Sequence, residues 1–165
     1  MLKKITLIFY FFYFLFFNGL SLAAERNDNN LLAFGAGIWD LNDNQTAGLF
    51  NVEYRYGTRY GPFKPMIGGL VNTDHGFYIY AGIRMDLYLT NKIVVTPSFA
   101  PGLYERGDGK DLGHAIEFRS GLDLVYRRKN GARIGVEFHH LSNASLDENN
   151  PGTETFLFTY SIPLN

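Results

Sequence analysis

Between Phe77 and Leu89 the chain alternates without interruption. Phe77, Ile79, Ala81, Ile83, Met85, Leu87 and Leu89 fall on one side, and Tyr78, Tyr80, Gly82, Arg84, Asp86 and Tyr88 on the other. A helix would break its apolar stripe with both charges, whereas a strand sorts them cleanly onto two faces. Seven further segments read the same way, separated by turn residues: Leu31 to Asp40, Ala47 to Tyr56, Lys64 to Asn72, Ile93 to Leu103, Ala115 to Tyr126, Ala132 to Asn143, and Thr153 to Leu164. Lys129-Asn130-Gly131 carries the Asn-Gly pair favoured in tight hairpins. The segment from Ile93 is the least regular, because Pro97 and Pro101 each remove a ladder donor.

The start of the chain has a different character. Lys3 and Lys4 precede an apolar run from Ile5 to Phe17, and Ser21-Leu22-Ala23 is a small-x-small cleavage site. Residues 1–23 are therefore expected to be a secretory signal peptide, leaving 24–165 as one domain. The run is short for a membrane-spanning helix. The full sequence has no cysteine, 16% aromatic residues and 18 glycines. A net charge of -1 gives no electrostatic case for nucleic-acid binding.

These features predict an all-β fold, an eight-stranded antiparallel transmembrane β-barrel in the outer membrane. Apolar faces would meet lipid, and the charged faces would fill the lumen with neighbouring pairs: Glu53 with Arg55, Arg84 with Asp86, Glu117 with Arg119 and Asp123, and Arg133 with Glu137. A soluble lipocalin-like barrel, with the faces reversed, is the alternative fold.

Chemistry concentrates in the last hairpin. On the seventh segment His140 and Ser142 continue the even-numbered apolar face of Ile134, Val136 and Phe138; on the eighth, Glu154 continues that of Phe156, Phe158 and Tyr160. Base, nucleophile and orienting acid are the parts of a serine-hydrolase triad, here on the face expected to meet lipid. With the N-terminus in the periplasm, both strand ends lie at the extracellular rim, beside the outer leaflet. Asp147 and Glu148 are competing acids at the loop tip. His139 has the opposite parity, and His75 and His114 lack partners at metal-ligand spacing, so no metal site is expected. A non-catalytic structural or adhesive barrel remains the alternative function.

At these residues the chain resembles the lipid A 3-O-deacylases, the PagL-type outer-membrane enzymes. Their His-x-Ser-Asn-Ala motif is matched by His140-Leu141-Ser142-Asn143-Ala144, the family glutamate twelve residues after the serine by Glu154, and a family asparagine by Asn150. The resemblance implies an eight-stranded barrel that hydrolyses the 3-position acyl ester of lipid A without a cofactor. Its partners would be lipopolysaccharide and the membrane. It also implies an oxyanion site around Asn143, Ala144 and Asn150. The chain departs from the family at Ser145, where glycine is usual, and ends in Pro163-Leu164-Asn165 rather than an aromatic residue.

Overall fold

A computed structural model describes residues 28–58 and 60–164; the expected signal peptide lies outside the described residues. The strands are β1 (Asn30–Trp39), β2 (Ala47–Arg55), β3 (Lys64–Asn72), β4 (Phe77–Arg84), β5 (Leu87–Tyr88), β6 (Ile93–Glu105), β7 (Ile116–Arg127), β8 (Arg133–Ser142) and β9 (Thr153–Leu164). All pairings are antiparallel. β1 pairs with β9, and β4 pairs with β6, so the sheet closes on itself. Strands β4 and β5 are one stave of the wall, which makes an eight-stranded barrel.

The stave is interrupted for a reason visible in its partner. Met85 N donates to the Pro97 carbonyl at 3.0 Å, but Pro97 has no N–H to return the bond. The ladder between β4 and β6 lapses again near Pro101. On its other edge β6 stays continuously paired with β7 from Ile93 to Leu103, through both prolines. The prolines thus interrupt one seam and leave the strand intact.

The faces follow the alternation. Phe50, Ile79, Leu103, Leu122, Ile134 and Phe158 are exposed on the outer wall, while Arg55, Arg84, Arg119, Arg133, Glu53 and Glu137 are fully buried inside. This is the reverse of a lipocalin: the apolar surface faces outward, as it must in hydrocarbon, and closure leaves no open sheet edge.

Partners inside the lumen differ from the expected sequence neighbours. Glu53 does meet Arg55, and Arg84 does meet Asp86. Arg55 also reaches across to Asp123 at 3.0 Å and Glu137 at 2.7 Å. Arg119 binds Glu53, not Glu117, whose carboxylate has no hydrogen-bond partner among the described residues. Arg133 bonds Asp86 and leaves Glu137 to Arg55. Closure brings opposite walls within side-chain reach, so partners are set by depth in the lumen and not by spacing along one strand.

The start of β1, the end of β9 and the segments 56–63, 89–92 and 128–132 lie at one end; the segments 40–46 and 73–76 and the two longest, 106–115 and 143–152, lie at the other. In barrels of this type the short-turn end is periplasmic and the long-loop end extracellular. Beneath the long loops the lumen holds an apolar cluster, with Trp39 stacked on Tyr104 at 5.5 Å and Leu112, Leu141 and Leu157 fully buried.

Candidate active site

Strand register builds the centre of the site. His140 on β8 is directly opposite Glu154 on β9, and His140 Nδ1 lies 3.1 Å from Glu154 Oε1. Both point outward; the imidazole is 45% and the carboxylate 26% exposed. Between and behind them, Leu141, Thr153 and Thr155 face inward and are fully buried, so the pair stands on a packed wall. The carboxylate bond at Nδ1 leaves Nε2 as the free ring nitrogen.

Ser142 is the next outward residue on β8, roughly 6.5–7 Å along the strand at Cα. It is half-buried and pairs with Phe118 of β7, whose ring stacks on Phe99 at 6.0 Å. The Ser142 hydroxyl makes no hydrogen bond among the described residues. Base–nucleophile bonds are commonly long or unformed before substrate arrives, so the placement on one face is the informative observation.

The loop after Ser142 is held by asparagines. Asn143 is fully buried; its Nδ2 donates to the Leu112 carbonyl at 3.0 Å and the Asn149 carbonyl at 2.8 Å, and its Oδ1 accepts from Ser145 N at 2.9 Å. The Asn143 N–H donates to Asn150 Oδ1 at 3.1 Å. Asn143 and Asn150, expected beside Ala144 as oxyanion groups, are therefore engaged with each other and with the loop. Ala144 and Ser145 both adopt left-handed backbone, with φ of 53° and 66°. This turn leaves the Ala144 N–H without a partner among the described residues, while the Ser145 N–H is already bound to Asn143.

Two further residues of the site escaped the sequence reading. Gly152 has φ of +65°, and a Cβ there would lie 3.0 Å from His140 Cε1 and 3.1 Å from the Leu141 carbonyl. Only glycine gives both the turn and the room for the ring. The Pro151-Gly152 pair just before the strand was the available signal. Ser120, exposed on β7, pairs with His140 on the side away from Glu154. Its small side chain interrupts the apolar line of Phe118, Leu122 and Leu124 and leaves the imidazole open on that side.

The loops are also tied to the barrel mouth. Lys110 Nζ binds Asp40 Oδ1 at 2.7 Å and Asp43 Oδ2 at 3.1 Å, and the same Asp40 oxygen accepts from Thr153 Oγ1 at 3.0 Å. Burial opposes the Lys110 charge, but its bonds to Asp40 and Asp43 outweigh it and hold its pKa above the ordinary lysine value.

Of the other candidates, Asp147 and Glu148 are exposed at the loop tip and neither bonds to His140. His75 meets Asp108 at 2.9 Å between exposed loops. His139 faces the lumen as its parity requires, where Asp123, Glu137 and His139 bring potential metal-ligand atoms together. Arg119 Nη2 lies 2.7 Å from His139 Nε2 and takes up the lone pair that a metal would need.

The closed antiparallel wall, apolar outside and charged within, defines an eight-stranded outer-membrane β-barrel, with the His140–Glu154 pair and Ser142 on its outer face. Residues 32–163 match the sequence profile of lipid A 3-O-deacylase (PagL), and the chain belongs to that family. It is 32% identical over 89 residues to the lipid A deacylase PagL of Bordetella bronchiseptica, an alignment covering 54% of this chain and 42% of that relative. The chain therefore spans less than half of that protein's length. The fold is similar to the crystal structure of the outer membrane enzyme PagL, with a TM-score of 0.64 and 16% identity over 81% of this chain and 99% of that one. A de novo designed transmembrane β-barrel aligns with a TM-score of 0.53 and 12% identity, over 85% of this chain and 99% of the design. The protein is an outer-membrane barrel.

Proposed function

We propose that this chain is a serine esterase that hydrolyses the acyl ester at the 3-position of lipid A in the outer leaflet. The observation that carries the reading is the 3.1 Å His140–Glu154 contact on the outer wall, one outward residue from Ser142 and level with the extracellular loops. A hydrolase for a soluble ester would gain nothing from facing hydrocarbon; a substrate embedded in the bilayer presents its ester there.

In this mechanism the Ser142 hydroxyl turns toward His140 Nε2 and attacks the ester carbonyl carbon as its proton passes to the imidazole. Glu154 fixes the ring and stabilises the imidazolium. The oxyanion receives the Ala144 N–H, which Asn143 and Asn150 hold in place from the protein side. Collapse breaks the bond to the sugar 3-oxygen, which takes the proton from His140. Water, deprotonated by the same imidazole, then releases the fatty acid from Ser142.

The test is to incubate the detergent-purified protein with lipopolysaccharide and weigh the lipid A produced. Loss of one 3-position hydroxyacyl group is the expected result, and its absence from Ser142→Ala protein ties it to this serine. Unchanged lipid A mass with a folded, heat-modifiable barrel would mean a non-catalytic wall protein.

A further inference from the structure

The periplasmic end carries a feature that the ester chemistry does not use. On β7 the outward line runs Leu122, Leu124, Tyr126, each at least 42% exposed, and its next outward position is Arg128. Tyr126 pairs with Ile93 on β6 and Ile134 on β8, at the lower edge of the apolar belt. Lys92, in the adjoining turn, places Nζ 6.0 Å from the centre of the Tyr126 ring. The two turns are bound together by Arg127 N donating to the Lys92 carbonyl at 2.6 Å. The second turn is closed by Arg128 N to Ala132 O at 2.8 Å and Gly131 N to Arg128 O at 3.0 Å.

Lys92, Arg128 and Lys129 thus converge on one sector of the rim, while Arg127 has the inward parity of Val125 and lines the lumen mouth. Among the described residues none has an acidic partner. Three like charges in two touching turns repel one another, and Asp28, which lines the lumen mouth with Arg127 and Lys129, is bound to Lys64 and Tyr88. The opposite rim has the other sign, exposing Glu105, Asp108, Asp111, Asp147 and Glu148. The depth of the cluster is fixed by its strand: Arg128 stands one outward step, roughly 6.5–7 Å, beyond the last aromatic of the belt. A cation beside an interfacial tyrosine at that depth lies at the level of lipid head groups.

We infer that Lys92, Arg128 and Lys129 form a binding site for the head group of an anionic phospholipid in the periplasmic leaflet. Tyr126 packs against its glycerol and the Leu124–Ile134 surface against its acyl chains. The cations select a phosphodiester with no compensating ammonium, and the apolar surface continuing upward from them selects a lipid over a water-soluble phosphate.

The experiment is native mass spectrometry of the detergent-solubilised mature protein, given phosphatidylglycerol or phosphatidylcholine with the same acyl chains. The wild type should retain phosphatidylglycerol in preference to phosphatidylcholine by on the order of a hundredfold, the combined effect expected of three basic side chains near an anionic surface. The triple variant Lys92→Ser, Arg128→Ser, Lys129→Ser should retain both lipids equally. Lys92→Arg, Lys129→Arg should keep the preference, and heat-modifiable mobility reports folding in each. Equal retention by the wild type, or an undiminished preference in a folded triple variant, would overturn the site. Displacement of the lipid by millimolar glycerol phosphate would overturn the lipid assignment in favour of a soluble phosphate ligand.

Discussion

His140 Nδ1 and Glu154 Oε1 are 3.1 Å apart because their backbones are direct partners across the β8–β9 ladder. The pair is aligned by sheet register, so its geometry is as rigid as the barrel wall. If it works as the base and orienting acid of a triad, the losses on mutation have a set order. Ser142→Ala and His140→Ala should reduce 3-position acyl release equally, and the double variant should be no worse than either. Glu154→Ala should leave about a hundredfold more activity, since it only orients and stabilises the base. Additive losses in the double variant would show that the serine and histidine do not share a step.

Gly152 should prove as sensitive as a residue that touches substrate. Gly152→Ala forces a Cβ to 3.0 Å from His140 Cε1 in a left-handed backbone that costs a non-glycine residue roughly 1–2 kcal/mol. The ring must shift away, so kcat should fall while KM stays near the wild-type value. A kcat equal to wild type in a folded Gly152→Ala protein would remove Gly152 from the positioning of the base.

Lys110→Met tests the tie between the loops and the barrel mouth. It leaves Asp40 buried without its cation, which costs about 3 kcal/mol for a broken buried pair. The heat-modification midpoint should drop, and acyl release should drop with it, because the carbonyl of Leu112, two residues on in the same loop, accepts from the Asn143 side chain. Asp43→Ala, which removes the exposed partner of Lys110 at 3.1 Å, should do much less.

The same lysine gives a pH dependence with a defined sign. Its folded pKa is above the ordinary value of 10.5, so its contribution to stability is complete below that value. The contribution is lost as pH rises through the higher folded value. Wild type should therefore lose thermal stability at strongly alkaline pH relative to its neutral value, and Lys110→Met should lack that part of the decline. Parallel curves for the two proteins would exclude the lysine as its source.

Ser145→Gly should be tolerated and mildly favourable. Ser145 has φ of 66°, and its N–H binds Asn143 Oδ1, so the position needs a left-handed backbone and no side chain. Glycine relieves strain of about 1 kcal/mol. Acyl release should stay the same or rise; a marked fall would give the Ser145 hydroxyl a role of its own.

Much of this was legible because strand periodicity is two. Alternation alone fixed which residues face out, and so placed His140, Ser142 and Glu154 on one lipid-facing surface and His139 inside. The bounds of β3 and β9 were read directly from turn residues at their ends. The break at Met85–Asp86 was not, because it arises from the prolines of the neighbouring strand, and alternation within one strand carries no information about its partner.

The sequence by itself determined the staves, their faces and the surface that carries the candidate chemistry, since these follow from local patterning and a twofold repeat. The tertiary structure decided how residues far apart in the chain meet. Register across β8 and β9 set His140 against Glu154, and loop packing engaged the Asn143 N–H with Asn150 and left that of Ala144 unpartnered. Closure matched Arg55 with Glu137 in place of nearer neighbours. Those contacts depend on depth in a lumen that exists only once the last strand has paired with the first, and on backbone turns at 143–152 packed against Leu112 of another loop.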